Sequence, residues 1–454
     1  MANKRDMGTG SVVRLLAQLA IPAIIAQVVN LLYNIVDRIF IGHMPGVGAA
    51  ALTGAGLFMP ILMLINAFAM LVGSGGAPRA AIAMGQKKNE AAEKIVGNSF
   101  SLLLIFAAVL TAVFYAACPT LLRLFGASDV TLPYALGYAR TYILGTVFVL
   151  IVMGMNPYIT AQGFAKISMM TTMIGAVINI ALDPIFIFVL GMGVRGAALA
   201  TVISQAVGAL WIMLFLTGKK TTLRLKARNM RLDAKVFAPC LALGISTFVM
   251  LSTESLLSVS FTSSLSRYGG DLAVGAMTII TSVAQLVNMP LSGICQGGAP
   301  IISFNFGAGN EQRVRKAFLA QFTACVAYSG LFWLICMAAP GLFAGMFTSD
   351  TALAQYAVWA MRIYMAGIFS IGFQISCQQS FMALGQAKIS LLMACLRKII
   401  LLIPLIFILP NFFADKVFAV FLAEPVSDIL AAAVTTAAFF ISLPKILKKG
   451  VQVK

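Results

Sequence analysis

Five carboxylates lie inside long apolar runs of this chain: Asp37, Asp183, Glu254, Glu424 and Asp428. A carboxylate at the centre of a bilayer costs at least ~2.5–3.5 kcal/mol on insertion scales, so an ion or proton pathway is the first expectation for each. Asp37 ends a polar series, Gln27, Asn30, Asn34 and Asp37, whose spacings of 3, 4 and 3 put all four on one helix face. Asn179 and Asp183 stand one turn apart in the run Asn-Ile-Ala-Leu-Asp-Pro. Two carboxyls in one weakly hydrated pocket can share a proton, because ionising both is disfavoured. With an amide and a hydroxyl beside them they also form an oxygen set for a hard cation. Thr201 is the candidate for that hydroxyl. Pro22, fifteen residues before Asp37, removes a backbone bond where the helix can bend. The plainer alternatives are a structural Asp–Asn pair and an interfacial Asp37 neutralised by Arg38.

The other three acids are less clearly placed. Glu254 lies among Ser246, Thr247, Ser252, Thr253, Ser255 and Ser258, so it reads either as a functional group or as a protonated acid bonded to hydroxyls. Gln285, Asn288, Gln374 and Gln378 add polar groups to the same half, and with Gln27, Asn30, Asn34 and Glu254 they are the cleft-lining candidates. Glu424 and Asp428 are one helical turn apart, and Arg397 is the nearest basic candidate partner. At about 1.5 Å per residue, Arg397 falls near the inner end of its span and Glu424 near the outer end of its own, about 10 Å apart in depth. Direct pairing is therefore not expected. The 24 Met and 32 Phe suit an adaptable apolar surface, but they are also ordinary membrane-core residues.

The elements that must position these groups are set by composition. Of 454 residues, 60% are hydrophobic and 10% charged, against roughly 25% charged in a soluble domain. A mean hydropathy of +0.96 excludes a soluble enzyme or a free nucleic-acid binder. Twelve apolar runs can each cross a hydrocarbon layer of about 30 Å. They fall near 15–41, 52–78, 95–117, 136–158, 169–190, 196–217, 236–262, 274–297, 317–340, 355–382, 391–411 and 417–443. The fold class is an all-α polytopic membrane protein.

The net charge of +18 is mostly an orientation signal. With the N-terminus inside, 23 of the 32 basic residues are cytoplasmic, and only Arg38, Arg123, Arg140, Arg195, Arg267, Arg362 and Lys416 are outside. Both termini are thus expected in the cytoplasm. The first run is too long for a signal peptide. The seven cysteines show no metal spacing, and the single histidine, His43, makes no site alone. No nucleophile–base set is visible, so neither an enzyme nor a cofactor is expected.

An internal repeat organises the spans. The octapeptide AQGFAKIS at 161–168 returns as ALGQAKIS at 383–390, a shift of 222 that also carries Gly76-Ala77-Pro78 onto Gly298-Ala299-Pro300. A six-span unit repeated with the same topology predicts two parallel six-helix lobes, an arrangement known in transporters. The expected division is an N-lobe at 1–217, a cytoplasmic basic linker at 218–235 and a C-lobe at 236–454.

The run Asn34-Ile-Val-Asp-Arg-Ile-Phe-Ile-Gly42, the Asn179–Pro184 run and the Gly-x-Ala-Lys loops after spans four and ten together resemble the multidrug and toxic compound extrusion (MATE) family across essentially the whole chain. The resemblance implies a cation-coupled antiporter of the bacterial cytoplasmic membrane that exports organic, often cationic, compounds by alternating access. In its DinF-like branch the N-lobe acids take up H⁺ or Na⁺, and the pattern maps onto Asp37, Asn179, Asp183 and Thr201, with the bend at Pro22. In the sodium case the same four residues would ligate the ion. The NorM-like branch pairs a Glu on span seven with an acid on span ten; Glu254 matches the first, but span ten offers only Gln374 and Gln378. The expected partners are small organic substrates and the lipid bilayer, without nucleic acid, and the protein is expected to be a monomer. The competing readings are a lipid-linked oligosaccharide flippase of the same superfamily, a major-facilitator transporter, whose charged loop after span two is missing, and a non-transporting membrane protein.

Overall fold

Apolar runs in a bilayer must satisfy their backbone groups internally, and helices do so. The computed structural model describes residues 7–348 and 350–452, and among them only helices, turns and loops occur, with no strand. Lys4, Arg5, Asp6 and Lys454 of the charge census lie outside the described residues.

The spans run as α1 (Val12–Gly42), α2 (Gly48–Gly85), α3 (Asn89–Leu124), α4 (Leu132–Leu144 and Thr146–Ala161, meeting at 57°), α5 (Ala165–Val189) and α6 (Val194–Thr217). A helical stretch of 74 residues, Ala234–Gly307, follows and is broken at Gly270, where φ is 65°. At about 1.5 Å per residue it is several times longer than one crossing, so its halves are α7 and α8. The remaining spans are α9 (Glu311–Ala338), α10 (Thr351–Ala383), α11 (Ala387–Asn411) and α12 (Lys416–Lys448). Among the described residues ten helices are long and apolar enough to cross a membrane, or eleven with the bent pair of α4, and the break at Gly270 divides one of them; this is a multi-pass membrane protein.

The chain forms two compact units. One spans Ile25–Leu251; the other joins Met7–Ile24 to the chain from Ser252 onward. Helix α1 therefore contributes to both. It continues through Pro22 without interruption. In the first unit Phe58, Ile61, Ile65, Leu103, Ile143 and Tyr158 are buried. In the second, Leu257, Phe261, Met361, Leu402, Ile406 and Phe421 belong to one core cluster.

The repeat extends from sequence to contacts. Gly163 and Gly385 both hold left-handed φ values, 88° and 70°. In each copy the next residue's N–H closes back five residues, Phe164 to Ile159 O and Gln386 to Phe381 O. This is the glycine helix stop that left-handed backbone permits, and it explains why both octapeptides keep that glycine. Deeper in, Tyr158 Oη bonds Ser99 Oγ at 2.5 Å, and the 222-residue shift carries this pair onto Ser380 and Gln321, whose Nε2 donates to Ser380 Oγ at 3.3 Å.

One departure within the repeat has a clear cause. Gln162 is replaced by Leu384 in the second copy. Gln162 Oε1 accepts from Thr221 Oγ1, Thr222 N and Leu223 N at 2.8, 2.8 and 2.9 Å. Segment 218–235 is further held by Lys226 on Glu93 at 2.6 Å, by Ser101 on Met230 O at 2.6 Å and by Asn98, which accepts from Asp233 N at 2.7 Å. The linker is thus built onto the first unit. Leaving buried donors unpaired costs about 1–3 kcal/mol each. For Gln162→Ala we expect about 3 kcal/mol less local stability, so trypsin should cut the basic segment roughly 100-fold faster. Unchanged cleavage kinetics would show that the glutamine does not hold it.

Candidate functional site

The polar series on α1 has an apolar counterpart on the opposite side. Ile25, Val28, Leu32, Ile35 and Ile39 are exposed along one stripe, while Gln27, Asn30, Asn34 and Asp37 are half-buried along another. The helix thus turns its apolar stripe outward and its polar stripe toward its own unit, as an amphipathic span requires. Asn34 Nδ2 donates to Asn30 O at 2.6 Å.

The four residues expected to form the coupling site come together in the first unit. On α5, Asn179 Nδ2 donates to Asp183 Oδ1 at 3.3 Å and to Thr201 Oγ1 on α6 at 3.2 Å. Thr201 in turn donates to Ala197 O at 3.1 Å. Asn179, Asp183 and Thr201 are buried, and the carboxyl of Asp37 stands against that of Asp183. Asp37 Oδ1, Asn179 Oδ1 and Asp183 Oδ2 are buried oxygens that receive no donor among the described residues. Buried polar atoms are nearly always paired, and two carboxylates can bond to each other only with a proton between them. Arg38 does not neutralise Asp37 by an ion pair; it is exposed, with Met59 Sδ at 3.8 Å.

An aromatic wall, absent from the sequence reading, encloses this cluster. Tyr33 on α1 and Tyr138 on α4 lie within electrostatic reach of both acids. Tyr138 stacks on Tyr142 with ring centroids 6.1 Å apart, and Phe58 packs on both. The signal was there, since Tyr134, Tyr138 and Tyr142 recur every four residues. Nothing in one helix's pattern says which neighbour they meet.

The second unit corrects several expectations. Arg397 does pair with the acids of α12: its Nε lies 2.7 Å from Asp428 Oδ1 and its Nη2 lies 3.2 Å from Glu424 Oε1. Helix α11 begins at Ala387, four residues before the expected 391, which moves Arg397 about 6 Å further from the inner end. Residues Leu396–Leu402 also form a π turn, which rephases the side chains. Glu254 has an ammonium partner, Lys398, as well as its hydroxyl neighbours. Gln374 and Gln378 are buried, with Gln374 Nε2 donating to Gln378 Oε1 at 2.6 Å, so neither lines open space. Gln285 and Asn288 are exposed on α8, extending a stripe begun by Thr278 and Thr281. The cysteines are free, and all but Cys395 are buried.

No group of three or more His, Cys, Asp or Glu able to hold a metal occurs among the described residues. Asp37, Asn179, Asp183 and Thr201 offer oxygen ligands, the donor type that hard cations take.

The chain is similar to known transporters along nearly its whole length. It is 23% identical to the multidrug export protein MepA of Staphylococcus haemolyticus over 423 residues, covering 93% of this chain and 92% of that one. It is 24% identical to MepA of Staphylococcus aureus (strain NCTC 8325) over 400 residues, covering 87% and 86%. A crystal structure of MATE in complex with MaL6 superposes with a TM-score of 0.90 at 24% identity, covering 97% of this chain and 98% of that chain. The sequence model of the MatE family matches twice, over residues 22–185 and 246–408, as the internal repeat requires. The chain belongs to the MatE family.

Proposed function

We propose that the protein is a multidrug efflux antiporter, driven by H⁺ or Na⁺, that exports organic and often cationic compounds by alternating access of its two repeat halves, 1–217 and 236–454. The observation that carries this reading is the buried cluster of Asp37, Asn179, Asp183 and Thr201, in which Asn179 is the amide donor and three buried oxygens, Asp37 Oδ1, Asn179 Oδ1 and Asp183 Oδ2, still receive none. A cation entering there removes negative charge, disfavours a bound organic cation and shifts the conformational equilibrium. Such a shift requires that each ligand bind the two states with different affinity. The relatives named as multidrug export proteins support the substrate class.

The basic-residue asymmetry supports a bacterial inner-membrane protein with both termini cytoplasmic. We take it to act as a monomer on small organic substrates, with lipid and without nucleic acid or a cofactor. A flippase for anionic lipid-linked sugars is disfavoured, because Arg397 and Lys398, the intramembrane cations, are both engaged by carboxylates. The test is dye uptake into everted vesicles under a pH gradient or a Na⁺ gradient imposed separately. One gradient is expected to drive uptake; uptake under neither would overturn the proposal.

A further inference from the structure

We infer that Glu424 is a second proton-binding site, remote in sequence from the Asp37 and Asp183 pair, and that the cycle moves one proton more than that pair accounts for. The inference rests on the antiport reading for its role in transport, but not for the binding of the proton itself.

The second unit gathers three carboxylates, Glu254, Glu424 and Asp428, around two cations, Arg397 and Lys398. Both residues on α12 are buried, at 7% exposure for Glu424 and 2% for Asp428. With every group ionised the cluster carries one uncompensated negative charge, and the low-dielectric surroundings of its two buried members on α12 disfavour that. One monovalent positive charge restores neutrality.

Geometry chooses where it goes. Glu254 is held by Lys398, and its side chain is half exposed (52%). Asp428 receives the shorter of the two guanidinium bonds, 2.7 Å against 3.2 Å for Glu424. Glu424 Oε2 is buried and receives no donor. It is the least compensated oxygen of the cluster, and a proton there needs no space that a larger cation would require. The groups facing Glu424 are Asp428 on its own helix, Arg397 and Lys398 from α11, Glu254 from α7 and Tyr364 from α10. Cys377, also on α10, neighbours Thr436 instead, about 18 Å further along α12.

The position suits a moving part. Pro425 follows Glu424 directly and lacks the N–H that would close the helix on residue 421. Its ring and backbone pack on Gly367, where a Cβ would approach Pro425 Cα to 2.7 Å. A proton on Glu424 leaves the guanidinium to Asp428 alone and frees one strand of the tether at this weak point in the helix. No counterpart exists in the first copy, since the 222-residue shift places Val202 and Ala206 at these positions.

Infrared difference spectra of the purified protein, acid minus alkaline, test the site without transport. We expect a protonated-carboxyl band that Glu424→Gln removes and that Asp37→Asn leaves in place. Asp428→Asn should remove it as well, because Arg397 then balances Glu424 alone; this second variant guards against a misfolded first one, and size-exclusion profiles check both. In proteoliposomes, the proton-to-substrate ratio from reversal of a pH gradient should fall by one in both variants. An unchanged band and an unchanged ratio would overturn the inference. Absence of transport under any gradient, with the band behaving as described, would overturn the antiport reading instead.

Discussion

Asp183→Asn and Asp37→Asn are each expected to reduce gradient-driven efflux in proteoliposomes to the rate of protein-free vesicles. Either amide preserves size and hydrogen bonding. Asn179 Nδ2, now 3.3 Å from Asp183 Oδ1, still finds a carbonyl oxygen at position 183. The fold should therefore survive, with unchanged purification behaviour and far-UV spectra. What an amide cannot do is take up and release a proton, and so change its charge. The pair can then neither share a proton nor offer two anionic oxygens to Na⁺, and the differential affinity that couples cation to substrate disappears. Substrate binding at equilibrium should persist in both variants while its dependence on the driving cation is lost. Full cation-driven efflux in either variant would overturn the assignment of this cluster as the coupling site.

Replacing Arg397 with Met should destabilise the second unit by about 3–5 kcal/mol, because it strands two buried carboxylates without their counter-ion. Glu424 and Asp428 bond to different nitrogens of the same guanidinium, so neither retains a cation bonded to it when that group goes. The triple variant Arg397→Met, Glu424→Gln, Asp428→Asn should recover most of the loss. Buried ion pairs are often close to neutral against uncharged replacements of similar size, whereas half-pairs are costly. Thermal unfolding of the purified proteins in one detergent checks both statements. A single variant as stable as the parent, or a triple variant no better than the single, would show that the ion pairs are not what holds α11 to α12.

Much of the first site is legible along one strand of text. Gln27, Asn30, Asn34 and Asp37 announce a helix face by spacing alone, and Asn179 and Asp183 share a face for the same reason. That such faces converge follows from the expense of burying any of them unpaired. Thr201 was found by chemistry, as the hydroxyl a mixed oxygen set needs, and it does accept from Asn179. Tyr138 and Tyr142 were equally periodic but carried no charge, so nothing forced them into the site.

The second site is not legible in the sequence. The apolar run starts at 391, but α11 starts one helical turn earlier, at Ala387. Four residues of rise, together with the π turn at Leu396–Leu402, brought Arg397 to Glu424 and Asp428. Adjacent residues point about 100° apart on a helix, so Arg397 reaches α12 while Lys398 reaches Glu254 on α7.

The sequence by itself determined the solvent, the helical nature of the spans, the buried and exposed faces of α1 and the two-copy plan, because the bilayer imposes length and period on each segment separately. It also determined that Gln162 differs from its repeat partner Leu384, though not why. Only the tertiary structure decided which helices share a depth and a rotational phase, and hence which charges meet. That information is a property of pairs of helices, set by their true ends and by one widened turn, and no single segment contains it.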